Sequence, residues 1–98
     1  MNRHEALLLQ IAEEASEVAK AASKCIRFGT DHTWSTEKGT ATSRLYQEFL
    51  ELMALVEMCQ DAGLIQDCVN DMDRASIEAK KFRVEEFLIL SRELGTVQ

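Results

Sequence analysis

The chain has 98 residues, of which 46% are hydrophobic and 29% are charged, and its formal net charge is −6. This length fits a single domain, and the composition is typical of a globular protein rather than of a disordered one. The negative charge argues against a general nucleic-acid-binding protein, because such a protein needs basic residues to replace the counterions of the phosphate backbone. No apolar run approaches the roughly 18–20 residues that span a bilayer, and no signal peptide is recognisable, so we expect a cytoplasmic protein.

The three cysteines, Cys25, Cys59 and Cys68, are odd in number and do not have the spacing of metal ligands. This pattern favours neither a disulfide framework nor a structural zinc site. We therefore expect them to fill apolar space in a reducing compartment.

Helix breaks divide the chain into three predicted helices. Proline is absent, and the glycines at positions 29, 39, 63 and 95 mark the places where a helical chain should break. The predicted helices cover about Arg3–Phe28, Thr42 or Ser43 to Asp61–Gly63, and about Ile65–Glu93 with a potential break at Asn70–Asp71. The polar segment 29–42 is predicted to connect the first two, and no segment shows the alternation of a strand. The sequence thus predicts one all-α domain over residues 1–98.

The first helix carries a glutamate inside its apolar face. On a helical wheel that face contains Leu7, Ile11, Val18, Ala22 and Cys25. Glu14 falls near the centre of the face, Glu17 lies on its flank one turn later, and Glu13 points to the opposite side. An ionised carboxylate in an apolar stripe is costly unless it is paired, so Glu14 is predicted to have a partner.

The second helix repeats this arrangement. Its predicted apolar face consists of Leu45, Phe49, Leu52, Met53 and Val56. Glu48 and Glu51 project from adjacent turns along one edge of that face. If the two faces pack together, the carboxylates of Glu14, Glu17, Glu48 and Glu51 converge and require cations. Ligands that are all oxygen favour a hard ion, so the prediction is Mg²⁺, with Mn²⁺ as the alternative ion.

Several further residues each allow two interpretations. The third helix has a predicted apolar face of Val69, Met72, Val84 and Phe87, with Asp73 and Lys80 inside it. Lys80 can reach a phosphate, or it can pair with Asp73 in a core or subunit interface. Lys24, with Lys20 and Arg27 nearby, can contact phosphate or simply suit the end of the first helix. Trp34 can stack on a base or cover a subunit interface.

The segment Glu13-Glu14-Ala15-Ser16-Glu17, followed by Glu48-Phe49-Leu50-Glu51, resembles the motifs of the MazG-like all-α nucleoside triphosphate pyrophosphohydrolases. The family pattern is E-E-x-x-E and, on a separate helix, E-x-x-D. The similarity covers about residues 7–90 and includes IEAKKFRVEEFL, which is similar to the lysine-bearing final helix of the family. Glu51 stands where the family usually has Asp, and its longer side chain keeps the charge but moves the carboxylate.

The resemblance implies a helical bundle whose core is completed by oligomerisation, as a homodimer or homotetramer. It implies Mg²⁺-dependent hydrolysis of a (d)NTP to the (d)NMP and pyrophosphate, in nucleotide-pool housekeeping. The implied metal ligands and catalytic residues are Glu14, Glu17, Glu48 and Glu51. The predicted substrate-binding residues are Lys80, Lys24 and Arg27, together with Asp73 from the face of the third helix. The family's phosphate-contacting lysine corresponds to Lys80 or Lys81, and the helical wheel favours Lys80.

Two alternatives stay open at this point. The protein can be a non-catalytic helical oligomeric adaptor, whose carboxylates form interface salt bridges with Lys80, Lys81 and Arg83 of another subunit. It can also keep the fold and the metal but act on another substrate, such as a phosphorylated pyrimidine diphosphate or a histidine-pathway intermediate. The adaptor alternative predicts that metal changes neither stability nor activity.

Overall fold

The computed structural model describes residues 1–34, 39–67 and 71–97, with the backbone alone for Asp71 and Met72. In these ranges the chain is all-α, as the sequence predicts. The helices are α1 (Arg3–Phe28), α2 (Ala41–Asp61) and α3 (Asp71–Glu93). The described residues form no strand, and an isolated antiparallel bridge joins Thr33 to Thr40. No helix in this part of the chain is both long enough and apolar enough to cross a membrane.

The chain divides into two compact units, and each is described by itself. The first, Met1–Gln66, holds α1 and α2, and the second, Asp67–Gln98, holds α3. The carboxylates and the cavity of the candidate site all belong to the first unit.

Local hydrogen bonds set both ends of α1. The Asn2 side chain caps the N-terminus, because its Oδ1 accepts a hydrogen bond from the backbone N–H of Glu5 at 2.8 Å. Gly29 ends the helix with a φ of 99°, and its N–H donates to the carbonyl of Cys25 at 3.1 Å. A positive φ suits glycine because it has no Cβ. The predicted bounds of this helix are confirmed.

The second helix begins one residue earlier than predicted. Thr40 is its N-cap, and Thr40 Oγ1 accepts from the N–H of Ser43 at 3.2 Å while Ser43 Oγ donates to the Thr40 carbonyl at 2.8 Å. The helix ends at Asp61, within the predicted range. Gly63 follows with a φ of 75° and closes the C-terminus.

The predicted start of the third helix at Ile65 is wrong. Residues 65–67 are not helical, and α3 begins at Asp71. Two hydrogen bonds use the segment after α2 as a cap: Leu64 N–H donates to the Cys59 carbonyl at 2.9 Å, and Gln60 Nε2 donates to the Gln66 carbonyl at 3.1 Å. These contacts hold the chain out of a helical path.

The predicted apolar face of the third helix is largely open to solvent where it is described. Val84 is 40% exposed and Phe87 is 65% exposed. Val69 lies outside the described residues, and nothing is stated about the side chain of Met72. The face therefore does not form part of a buried core in the described chain.

Helices α1 and α2 pack against each other. They run in opposite directions, because Glu14 meets Glu48 and Glu51, whereas Lys24, later on α1, shares a cavity with Ala41 at the start of α2. The predicted face of α1 is confirmed, since Leu7, Ile11, Val18, Ala22 and Cys25 are all buried or half-buried. The predicted face of α2 is partly wrong, because Phe49 and Met53 are 46% and 38% exposed. The residues of α2 that are buried or half-buried include Leu45, Glu48, Leu52, Val56 and Cys59. Glu48 thus lies within the packed face rather than at its edge.

Candidate metal centre

Three carboxylates meet between α1 and α2. Glu14 comes from α1, Glu48 and Glu51 come from adjacent turns of α2, and each offers an oxygen that lies within 4.8 Å of the other two. Glu14 and Glu48 are half-buried, whereas Glu51 is exposed. We call these three residues the carboxylate group. It brings together three of the four predicted metal ligands.

The interior of the carboxylate group lacks a hydrogen-bond donor for ionised Glu14. Its Oε1 is buried and has no hydrogen-bond partner in the described part of the chain. The pKa of Glu14 is raised to about 7, first by the hydrogen bond with Glu48, which requires a proton between the two acids. Burial, and then the negative charges of Glu48, Glu51 and Glu17, raise this pKa further. The group therefore favours a bound proton or a bound cation.

The carboxylate group fits a hard divalent ion. In an octahedron with Mg–O bonds of 2.0–2.1 Å, adjacent oxygens are about 3.0 Å apart and opposite ones about 4.2 Å apart. A spacing within 4.8 Å is close enough that small side-chain rotations would bring three carboxylate oxygens to neighbouring positions of such a shell. The donors are all carboxylate oxygens, and the exposed side at Glu51 leaves room for water or phosphate ligands. Glu14, Glu48 and Glu51 could therefore hold a metal ion.

Glu17, the fourth predicted ligand, is not part of the carboxylate group. It lies one turn beyond Glu14 on α1, its side chain is 51% exposed, and its Oε1 is 3.4 Å from Lys20 Nζ. Its negative charge nevertheless contributes to the raised pKa of Glu14. Glu13 is exposed, as the helical wheel predicts.

A cavity of about 300 Å³ adjoins the carboxylate group. Its lining residues are Glu17, Lys20, Ala21, Lys24, Trp34, Ala41, Arg44 and Glu48. Because Glu48 belongs to both features, a ligand in the cavity would be next to a metal held by the carboxylates. Three basic side chains, Lys20, Lys24 and Arg44, face the same space. This combination of cations and carboxylates suits an anionic ligand that binds together with a metal ion.

The structure separates the predicted substrate-binding residues into two sets. Among the described residues, Lys24 lines the cavity and Arg27 does not. The guanidinium carbon of Arg27 lies 5.3 Å from the centroid of the Phe28 ring. Asp73 is half-buried and Lys80 is exposed, both on α3 in the second unit. Their part in substrate binding stays a prediction.

The choice of Lys80 over Lys81 as the phosphate-contacting residue stays a prediction, and the structure describes the contacts of Lys81 on α3. Lys81 Nζ is 3.1 Å from Glu78 Oε1, and that carboxylate also contacts Arg74. Lys81 is thus engaged along its own helix, which lowers the pKa of Glu78.

Sequence reasoning did not single out Arg44. Its Nη2 lies 3.7 Å from Glu48 Oε1, and its side chain is 45% exposed, against 16% for Glu48. The signal that was available is the spacing of four residues between Arg44 and Glu48, which places both on one side of a helix. Only the packing of α1 on α2 shows that this side forms the wall of a cavity.

Fold and site together define an all-α protein in which a carboxylate group borders a cavity lined by three basic and two acidic residues. A comparison of the chain with protein families, curated proteins and solved structures found no match. The geometry of the first unit therefore carries the functional proposal, beside the sequence motifs described above.

Proposed function

We propose that this protein is a Mg²⁺-dependent nucleotide pyrophosphohydrolase, which converts a (d)NTP to the (d)NMP and pyrophosphate. The observation that carries the proposal is the position of the carboxylate group at the edge of a cavity with three basic side chains. The resemblance of the motifs around Glu14 and Glu48 to those of the MazG-like pyrophosphohydrolases points to the same reaction.

The charges of the site fit a metal–polyphosphate complex better than either component alone. A free polyphosphate would be repelled by the carboxylates, and a free metal ion would be repelled by the basic side chains, two of which, Lys20 and Arg44, lie 3.4 Å and 3.7 Å from Glu17 and Glu48. A triphosphate that carries Mg²⁺ satisfies both sets. Arg44 offers a planar donor pair for two phosphate oxygens, and the lysines offer compact positive charges.

Each catalytic task has a residue in suitable surroundings. Mg²⁺, when bound, would neutralise charge on the triphosphate and lower the pKa of an attacking water. Glu14, Glu48 and Glu51 would hold the ion, and Glu17, which lies outside the carboxylate group but lines the cavity, would accept the proton of the water. The water oxygen bonds to the α-phosphorus as the bond to the bridging α–β oxygen breaks. Lys20 and Arg44 stabilise the charge on the departing pyrophosphate.

An oligomeric assembly, as a homodimer or homotetramer, forms part of the proposal. It is supported by large apolar side chains that remain open on α3, where Phe82 is 66% exposed and Phe87 is 65% exposed. Contact with a second copy would remove such residues from water. The proposed setting is housekeeping of the nucleotide pool in the cytoplasm.

The test is pyrophosphate release from a panel of NTPs and dNTPs with Mg²⁺, with Mn²⁺ and with EDTA. We expect release that requires the metal, and its loss in Glu14→Gln. Glu13→Gln is the matched control, because Glu13 is an adjacent but exposed glutamate, and it should retain full activity.

The adaptor alternative gives the opposite results. It predicts no release with any nucleotide and no effect of Mg²⁺ on thermal unfolding of the folded protein. Release from phosphorylated metabolites but from no NTP or dNTP would keep the metal centre and replace the substrate.

A further inference from the structure

Trp34 closes one end of the cavity. It is the single tryptophan of the chain, it lines the cavity, and it is 45% exposed. A large aromatic ring that is half open to a cation-lined cavity is available for contact with a ligand.

The cavity has an order along the two helices. Glu17 and Lys24 are seven residues apart on α1, or about 10 Å along the axis, and both line the cavity. Glu17 marks the end near the carboxylate group, whereas Lys24 Nζ lies 5.8 Å from the centroid of the Trp34 ring at the other end. The lining residues of α2 follow the same order, from Glu48 through Arg44 to Ala41. Along the cavity, the carboxylates therefore come first, the cations next and the aromatic ring last.

The indole is held in place from several sides. Its centroid lies 5.7 Å from that of Phe28 and 4.7 Å from that of His32, both in edge-to-face geometry. The backbone just before it is tied to the start of α2, because Ala41 N–H donates to the His32 carbonyl at 2.8 Å and Thr33 forms a bridge with Thr40. A ring fixed before the ligand arrives loses little conformational entropy on binding.

We propose that Trp34 is the base-binding end of this cavity, where the nucleobase stacks on the indole while the phosphates extend past Lys24 and Arg44 to the carboxylate group. The inference rests on the proposed function and assigns its specificity for a nucleotide over a bare polyphosphate to one residue. Without a ligand, the Lys24 ammonium group lies near the indole ring. Bound phosphates attract this group away from the ring, so that the base can stack on it. Stacking on an aromatic side chain tolerates any base, since every base has a π face.

The experiment measures binding rather than turnover. Wild type, Trp34→Ala and Trp34→Phe are titrated by calorimetry, in Mg²⁺, with α,β-methylene nucleoside triphosphates and with inorganic tripolyphosphate. Trp34→Ala should weaken nucleotide binding by roughly 5- to 140-fold, the range that one stacked base supplies. Tripolyphosphate binding should change less than about twofold, because it has no ring to stack. Trp34→Phe should recover most of the nucleotide affinity. In the wild type, the nucleotides should change the fluorescence of the single tryptophan more than tripolyphosphate does, because only they place a base on the indole.

Each outcome decides the inference. Equal affinity of wild type for nucleotide and tripolyphosphate, or unchanged nucleotide affinity in Trp34→Ala, overturns it. If Trp34→Ala loses both ligands because the cavity is disturbed, Trp34→Phe decides: recovery of nucleotide affinity supports stacking, and failure to recover overturns it.

Binding and turnover can fail separately. Nucleotide binding that depends on Trp34 without pyrophosphate release upholds the inference and refutes the proposed reaction. Pyrophosphate release and nucleotide affinity that are both unchanged in Trp34→Ala support the proposed reaction and refute the inference.

Discussion

Binding of Mg²⁺ should depend on pH in the neutral range, where an ordinary glutamate would have no effect. Glu14 has a pKa of about 7 in the protein without metal, against 4.5 for an ordinary glutamate. Mg²⁺ requires the ionised carboxylate, so it must displace the proton that Glu14 shares with Glu48.

The magnitude follows from the ionised fraction of Glu14. With a pKa of about 7, that fraction is about 0.1 at pH 6, 0.5 at pH 7 and 0.9 at pH 8. The apparent association constant for Mg²⁺ should therefore rise about tenfold from pH 6 to pH 8, and about half a proton should be released per site at pH 7. With a pKa of 4.5, the same constant would change by only about 3% over this range.

Calorimetric titration of the protein with Mg²⁺ measures both quantities, if it is repeated in buffers that differ in ionisation enthalpy. Glu14→Gln should bind Mg²⁺ weakly and lose the proton release, while Glu13→Gln should behave as the wild type. A constant affinity from pH 6 to pH 8, with no proton release, would refute the argument that Glu14 is a proton-holding metal ligand.

Three further predictions concern stability and the basic residues. In EDTA, the contribution of Glu14 to stability should be present below about pH 4.5 and be lost as the pH rises through about 7, because Glu14 binds a proton more tightly in the folded protein than in the unfolded chain. Thermal unfolding of the wild type should show this loss, and thermal unfolding of Glu14→Gln should not. Arg44→Gln should cost less than about 1 kcal/mol of unfolding free energy, because its ion pair with Glu48 is half exposed, yet it should raise KM for a nucleotide about tenfold; an unchanged KM would exclude a phosphate contact. Lys80→Ala should impair triphosphate turnover more than Lys81→Ala, and steady-state kinetics showing the reverse order would correct the helical-wheel assignment.

The ends of α1 and α2 could be predicted because they are decided by local chemistry. Asn2 and Thr40 satisfy free N–H groups at the helix starts, and Gly29 adopts the positive φ that other residues avoid. The same logic failed at Ile65, where an apolar residue that could have begun a helix belongs instead to the segment that caps α2.

The sequence alone also determined that Glu14 lies within the packed face of α1. The apolar residues around it are spaced at the helical period, so that face is defined whatever partner covers it. For α2, the large apolar residues Phe49 and Met53 led to a wrong assignment of the packed face. Phe49 and Met53 are open to solvent, and Glu48 faces α1 instead.

Tertiary structure decided which side chains share one space. A helical wheel gives directions around one axis, but the rotation of a helix toward its neighbour depends on how both surfaces fit together. That fit brings Glu48 and Glu51 to Glu14, and leaves Glu17 outside the carboxylate group. It also turns Arg44 toward the cavity, and the hydrogen bonds between the connection and α2 bring Trp34 to its far end. Charge spacing along one chain segment predicts the ligands that one helix can offer, whereas contacts between distant segments decide which of them meet.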